Sequence, residues 1–251
     1  MNATAYRELI LASRREITRT PMTLFLSVLF PLCFTGMFAF LPDVRVAEGT
    51  TVSGLAFGLP AVLVLATLSL GVIGTAAPMT VYRQRGVLRV FGCAPVGRTA
   101  FVAAQVPVRL GVVLAEFALI FLIGAAAGEL RADGLPAALL TLLLTAACML
   151  SLGFLVGGLL RSPELLGAIG GFLMPVVLFA SGVMLPMDMM PSAVRFAAQF
   201  LPFTYMGDLL RHQLLGVPAE YPVWLGYAVI AGTTAVLAWL TARTFRWDEE
   251  I

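Results

Sequence analysis

Few side chains in this sequence of 251 residues could do chemistry, and they are scattered. The single histidine, His212, has no Cys or His near it, so its spacing gives no metal site. Cys33 and Cys148 lie inside apolar runs while Cys93 lies beside an Arg cluster, and no pair suggests a disulfide. No Ser/His/Asp or Cys/His arrangement for nucleophilic catalysis can be read either. The G-x-x-x-x-G-K-[ST] phosphate loop is missing, and because the sequence contains no Lys its phosphate-contacting lysine is impossible. The chain is therefore expected to be no enzyme, to ligate no metal and to bind no cofactor of its own.

Two charges inside an apolar run remain, Arg109 and Glu116. Arg109 stands about two residues into a run beginning at Pro107, near enough to the surface for its long stem to snorkel to the headgroups. Glu116 lies roughly 13 Å deeper than that start at 1.5 Å per residue, where an ionised carboxylate without a partner costs several kcal/mol. Seven residues put both on one helical face about two turns apart, which allows a loose pairing through water or a partner helix. Glu116 reads either as a group buried against protein or as one lining a substrate path.

The elements that must position these groups follow from composition. Hydrophobic residues make up 60% and charged residues 12%, a balance that water-soluble domains, about a quarter charged, do not show. The net charge of +2 and the lack of a basic stripe argue against nucleic acid as a partner. Apolar runs at Met22–Leu41, Val52–Val81, Pro107–Gly128, Leu135–Leu160, Leu165–Met187 and Tyr221–Ala242 are each long enough to cross a roughly 30 Å hydrocarbon layer. This gives an all-α, polytopic membrane protein with six transmembrane helices, a Pro being well suited to a helix start at Pro107. A cleaved leader is not expected, since the first long run begins only after Pro21.

Orientation follows from arginine. Arg7, Arg14, Arg15, Arg19, Arg83, Arg85, Arg89, Arg98, Arg161, Arg243 and Arg246 fall on one side, against Arg45, Arg131, Arg195 and Arg211 on the other. The excess places both termini in the cytosol. Residues 1–20 are a different object. Tyr6, Leu9, Ile10, Ser13 and Ile17 share one face of a helical wheel, with Arg7, Glu8, Arg14, Arg15 and Arg19 opposite, which describes an amphipathic helix in the membrane interface. The outer connection 188–220 carries Phe196, Phe200, Phe203, Tyr205 and Leu209 between Pro191, Pro202 and Pro218. It is too apolar for a solvated loop and is expected to fold as helical pieces over a cavity or into the outer leaflet.

Two segments carry a family resemblance. In the first, Tyr82 to Arg98, the residues Arg83, Arg85, Gly86, Leu88, Arg89, Pro95 and Arg98 match the charged cluster, glycine turn and later proline joining spans two and three of type-2 ABC exporter permeases, the ABC-2 family. In the second, Ser181-Gly182-Val183-Met184-Leu185-Pro186 is followed by Pro191, Pro202-Phe203-Thr204-Tyr205, Asp208 and Arg211, which is similar to that family's span-five break and outer re-entrant helices. The chain departs from the pattern at Tyr82 and Gln84, where the family has Glu, and at Val87, where it has Thr. The cluster is thereby left purely cationic. Contact through shape and apolar burial of Val87, Leu88, Val90 and Phe91 stays open to it.

The resemblance covers essentially the whole chain and implies one permease domain over 1–251. Within it, 1–20 is the interfacial helix, 82–98 the cytosolic coupling segment and 186–220 the outer re-entrant region. It assigns Arg83, Arg85, Gly86, Val87, Leu88, Arg89 and Phe91 to contact with the ATPase. Ser181, Gly182, Pro186, Pro202, Tyr205, Asp208 and Arg211 form an outer gate, Asp208 and Arg211 being spaced i, i+3 for pairing on a short helix. Glu116, Phe172, Met174, Phe179 and Met184 are the candidates for a substrate path, with Glu116 also open to the reading as a group buried against protein. It also implies two copies of an ABC ATPase subunit, which bind the ATP and Mg, and a second permease, identical or homologous. The site would be the cell inner (plasma) membrane, among its lipids. The apolar, Met-rich path suits a hydrophobic or amphiphilic small molecule, antibiotic or drug-like, leaving the cytosol. Export of a lipid or lipid-linked glycan is the alternative, and an ATPase-independent carrier or an immunity factor is the reading from another class.

Overall fold

A computed structural model describes residues 3–19, 21–47, 50–87, 97–160, 162–180 and 190–244. The chain begins with α1 (Ala3–Arg19) and α2 (Pro21–Ala39), then β1 (Val44–Ala47) and β2 (Thr50–Val52). One long helix follows as α3 (Gly54–Gly71), a π-helical segment (Val72–Ala76) and α4 (Ala77–Gln84). After it come α5 (Arg98–Ala126), α6 (Leu135–Leu159), α7 (Pro163–Ala180), α8 (Ser192–Ala198), α9 (Pro202–Leu215) and α10 (Val223–Thr244). The all-α expectation is corrected in one place: β1 and β2 pair antiparallel, Val44 opposite Val52, as a small hairpin between α2 and α3. Val44 and Val52 turn onto the helical core, and that is what fixes the hairpin.

Among the described residues four stretches are long and apolar enough to cross a membrane: Gly54–Gln84, Ala100–Ala126, Leu135–Leu159 and Val223–Thr244. Six full-length spans were expected. The other two runs form α2 and α7, apolar helices of 19 and 18 residues. The third span also starts earlier than its apolar run, at Arg98, so Pro107 is inside the helix and not at its head. An interior proline removes one i→i−4 bond, and here the carbonyl it would have used, that of Ala103, accepts instead from the Tyr6 hydroxyl at 3.2 Å.

The long helix α3 is the axis of the bundle. Its residues from Ala56 to Gly71 are buried without a break, because α2, α5, α6 and α9 all pack around it. Apolar side chains on every face and a near absence of polar ones permit such a central position, as they would also permit contact with lipid. Ser53 caps its start, its hydroxyl accepting from the Ala56 N–H at 3.1 Å. The helices close up where glycine replaces a side chain: a Cβ on Gly71 would lie 2.6 Å from the Met149 carbonyl of α6.

Candidate functional site

Arg109 is the centre of a buried polar corner at the end of the bundle that carries α1. Snorkelling was expected of it, but the side chain is 0% exposed and turned inward. A guanidinium removed from water needs partners, and all but Nη2, which has no hydrogen bond among the described residues, finds them on three other elements. Its Nε–H donates to the Gly74 carbonyl at 3.2 Å and to Thr75 Oγ1 at 3.0 Å, both in the π segment. One terminal nitrogen donates to Ser13 Oγ of α1 at 3.4 Å, and the Phe154 ring of α6 stands 5.7 Å from the guanidinium carbon. Thr75 in turn donates its hydroxyl to the Leu70 carbonyl at 3.0 Å.

Glu16 and Tyr82 complete the corner. The Glu16 carboxylate feels the Arg109 charge and accepts the Tyr82 hydroxyl, so α1 is tied to both α5 and α4. Burial nevertheless pushes the Glu16 carboxyl above its ordinary value, against the opposing pull of Arg109 and the Tyr82 hydrogen bond. Tyr82, which stands where the resembled family has Glu, thus has a specific task. Ser13, Glu16 and Thr75 were missed as functional residues. The signal for two of them was there, in a polar pair at i, i+3 beside the apolar stripe of an amphipathic helix.

Glu116 is 4% exposed, and neither carboxylate oxygen has a hydrogen-bond partner among the described residues. Arg109 has its own partners elsewhere, so the two are not brought together. The pairing of Arg109 with Gly74 and Thr75, and of Gly124 with the Leu59 side chain, runs α5 antiparallel to α3 and sets Glu116 level with about Thr67, midway along the span.

An apolar cleft of about 420 Å³ opens between Phe30 of α2, Val72, Ile73 and Ala77 of the long helix, and Pro163, Leu166, Gly167, Gly170, Gly171 and Met174 of α7. Of the four residues expected on a substrate path that are described, Met174 alone lines it. Phe172 and Phe179, 75% and 52% exposed, lie on the outer flank of α7, and Met184 lies outside the described residues. The π segment is the wall shared by cleft and polar corner, with Val72 and Ile73 on one and Gly74 and Thr75 on the other.

Of the segment after the long helix, Arg83 lies in the last turn of α4, Arg85 and Gly86 form its turn and Val87 borders a smaller cavity against Leu9, Ala12 and Phe101. Leu88, Arg89 and Phe91 lie outside the described residues, as do Ser181, Gly182 and Pro186. The remaining residues expected in the gate all lie on α9. Pro202 opens α9, and the Tyr205 hydroxyl donates to the Gln199 carbonyl at 2.9 Å. Asp208 does something unforeseen: its two oxygens accept the backbone N–H groups of Glu220 and Tyr221 at 3.0 and 3.1 Å, fastening the approach to α10 onto α9. Arg211 lies over the Phe57 ring at 4.9 Å; burial lowers its proton affinity while Asp208 and Glu220 oppose that. Asp208→Asn is expected to cost about 2 kcal/mol, because an amide presents one acceptor and one donor to two N–H groups. Thermal melting of the detergent-solubilised chain measures it, and an unchanged midpoint would remove this role.

The chain is 31% identical over 165 residues to Nodulation protein J of Rhizobium leguminosarum bv. trifolii, a match covering 61% of this chain and 63% of that protein, so less than two thirds of the relative is spanned. The family model for ABC-2 type transporters matches residues 3–215, which takes in everything from α1 through α9. The chain belongs to the ABC-2 type transporter family, whose members are the membrane component of a transporter and work with a separate ATP-binding subunit.

Proposed function

We propose that the chain is the permease of an exporter that moves a hydrophobic or amphiphilic small molecule, antibiotic or drug-like, from the cytosol across the inner membrane. In this reading α2 and α7 cross the membrane with the four longer spans, both termini face the cytosol, and α1 lies in the inner interface. Helices α8 and α9 are the re-entrant lid at the outer surface, with Tyr205, Asp208 and Arg211 in its gate. Two permeases, identical or homologous, face each other above two ATPase subunits that touch the segment Arg83 to Phe91.

The observation that carries this is the cleft. A space of about 420 Å³ between helices, walled by apolar groups and one flexible Met, is of the size and chemistry of a small-molecule site. Pro175, inside α7, offers no N–H to the carbonyl four residues before it, that of Gly171, a residue of the cleft lining. An apolar body, or the apolar part of an amphiphile, suits that lining. ATP drives transport only if the ATPase binds one conformation of the pair more tightly, so the cleft must change shape as the ATPases close.

Two measurements test the reading. Purification of the chain from native membranes should bring an ATPase subunit with it in equal number; a permease that moves a lipophilic amine dye unaided down an ion gradient would overturn the proposal. Gly167→Trp is expected to fill the cleft from a position with open space beyond its Cβ, and to cut dye export at least about tenfold. Export at the native rate would show that cargo passes elsewhere.

A further inference from the structure

Two prolines and one arginine explain how α1 is held, and together they suggest why. Pro107 leaves the Ala103 carbonyl without its helical donor, and the Tyr6 hydroxyl of α1 fills the vacancy at 3.2 Å. Pro78 stands in the same relation to the Gly74 carbonyl, four residues before it, and the Arg109 Nε–H reaches that acceptor at 3.2 Å. Just ahead of it the helix has already slipped register, with the Ala77 N–H reaching back five residues to Val72. Each proline thus exposes a backbone acceptor at a chosen place, and in each case a side chain from another element takes it. From the same guanidinium the contacts pass to Ser13 and Glu16 of α1 and through Glu16 to Tyr82 of α4.

We propose that Pro78, Pro107 and Arg109 form a clamp locking α1 to the π segment, so that displacement of the α1 and Val87 corner is passed to the cleft wall at Val72 and Ile73. Arg109 is then a positioning residue for transport and touches no cargo. The geometry favours a rigid link. Both carbonyl contacts are to backbone, which moves only with its helix, and Thr75 passes its hydrogen bond on to Leu70 one turn further up. The clamp lies between the beginning of the segment at Val87, beside Leu9 and Ala12, and the apolar cleft, with no loop intervening in the long helix. This inference rests on the permease reading above, since only an ATP-driven machine needs such a link.

The test uses the permease co-purified with its ATPase and reconstituted in liposomes. Nitroxides on Arg14→Cys of α1 and Leu159→Cys of α6, both exposed positions, report where α1 sits. In the parent protein one narrow distance is expected, shifting when vanadate traps nucleotide. Arg109→Gln and Glu16→Gln should broaden that distance. They should also lower dye-stimulated kcat for ATP about fivefold, the size of one lost hydrogen bond, with KM for ATP unchanged because the nucleotide sits on the other subunit. Arg109→Lys keeps the charge beside Glu16 and should restore the narrow distance.

Pro107→Ala separates a clamp from mere support. Returning the missing N–H should raise or preserve the melting temperature, as removing an interior proline does, while freeing Tyr6 and broadening the α1 distance. A narrow, nucleotide-responsive distance in both Arg109→Gln and Pro107→Ala would overturn the clamp and leave the permease reading untouched. A parent protein that recruits no ATPase would instead fail that reading, and the resting distances would still decide whether α1 is clamped.

Discussion

Gly86→Pro should abolish dye-stimulated ATP hydrolysis by the assembled transporter while the permease still inserts and melts normally. Gly86 turns the chain away from the end of α4 with φ at +70°, a region open to glycine and closed to proline, whose ring holds φ near −65°. Its N–H also donates to the Arg83 carbonyl at 3.1 Å, a bond proline cannot make. The turn therefore cannot form, and whatever follows Val87 points elsewhere. Because Gly86 lies beyond the last residue of α4, the span itself keeps its hydrogen bonds. Gly86→Ala is the graded control: nothing crowds its Cβ, so only the left-handed backbone, worth roughly 1–2 kcal/mol, opposes it, and part of the stimulation should survive. Full stimulation in Gly86→Pro would dissociate this turn from the power input.

The second large effect is expected at Gly157. A Cβ there would lie 2.9 Å from both the Cα and the carbonyl oxygen of Ala76 and 2.8 Å from the Met79 Cβ. Gly153, one turn earlier, faces the Gly71 carbonyl in the same way. Together they let α6 lie against the backbone of the long helix, the close approach by which membrane helices gain dispersion contact where no hydrophobic drive exists. Two of the obstructing atoms are backbone and cannot rotate aside, so Gly157→Leu has to push the helices apart. A penalty of about 3 kcal/mol, at the upper end of overpacking, corresponds to a fall of roughly 10 °C in melting temperature for a chain of this size. Since the obstructed partner includes the end of the π segment, cleft and clamp should be lost with the packing. A Gly157→Leu protein that melts with the parent would mean that α6 and the long helix are not in contact as described.

What could be read without coordinates was whatever sums along one dimension. Apolar runs announced helices because every backbone amide in lipid must be satisfied within its own segment. The polar and apolar faces of α1 were legible from a period of 3.6 residues, and the structure keeps Arg7, Glu8, Arg14, Arg15 and Arg19 exposed and Ser13 buried. The spaced Pro, Gly and charged residues after the second and fifth runs were enough to suggest the family that residues 3–215 match. Helix breaks were harder. Pro107 read as a start because a proline is usually favoured there, yet the helix passes through it, since an acceptor stranded by proline can be satisfied by a side chain distant in sequence, here Tyr6.

That same limit explains Arg109, Asp208 and the cleft. Hydropathy assigns a charge a depth but not a neighbour, and the nearest water to Arg109 along the chain suggested an outward-reaching side chain. Its actual partners, Gly74, Thr75 and Ser13, are separated from it by 34 to 96 residues, and only the packing of α1, α5 and the long helix brings them within reach. Asp208 was read only against Arg211 three residues on, and the structure adds that its oxygens also serve two amides 12 and 13 residues away. Sequence alone therefore determined the solvent, the helical character and the family of this protein, though not every helix boundary. Tertiary structure decided which buried polar groups meet, because in a medium without water a partner can come only from whichever helix packing sets beside the group.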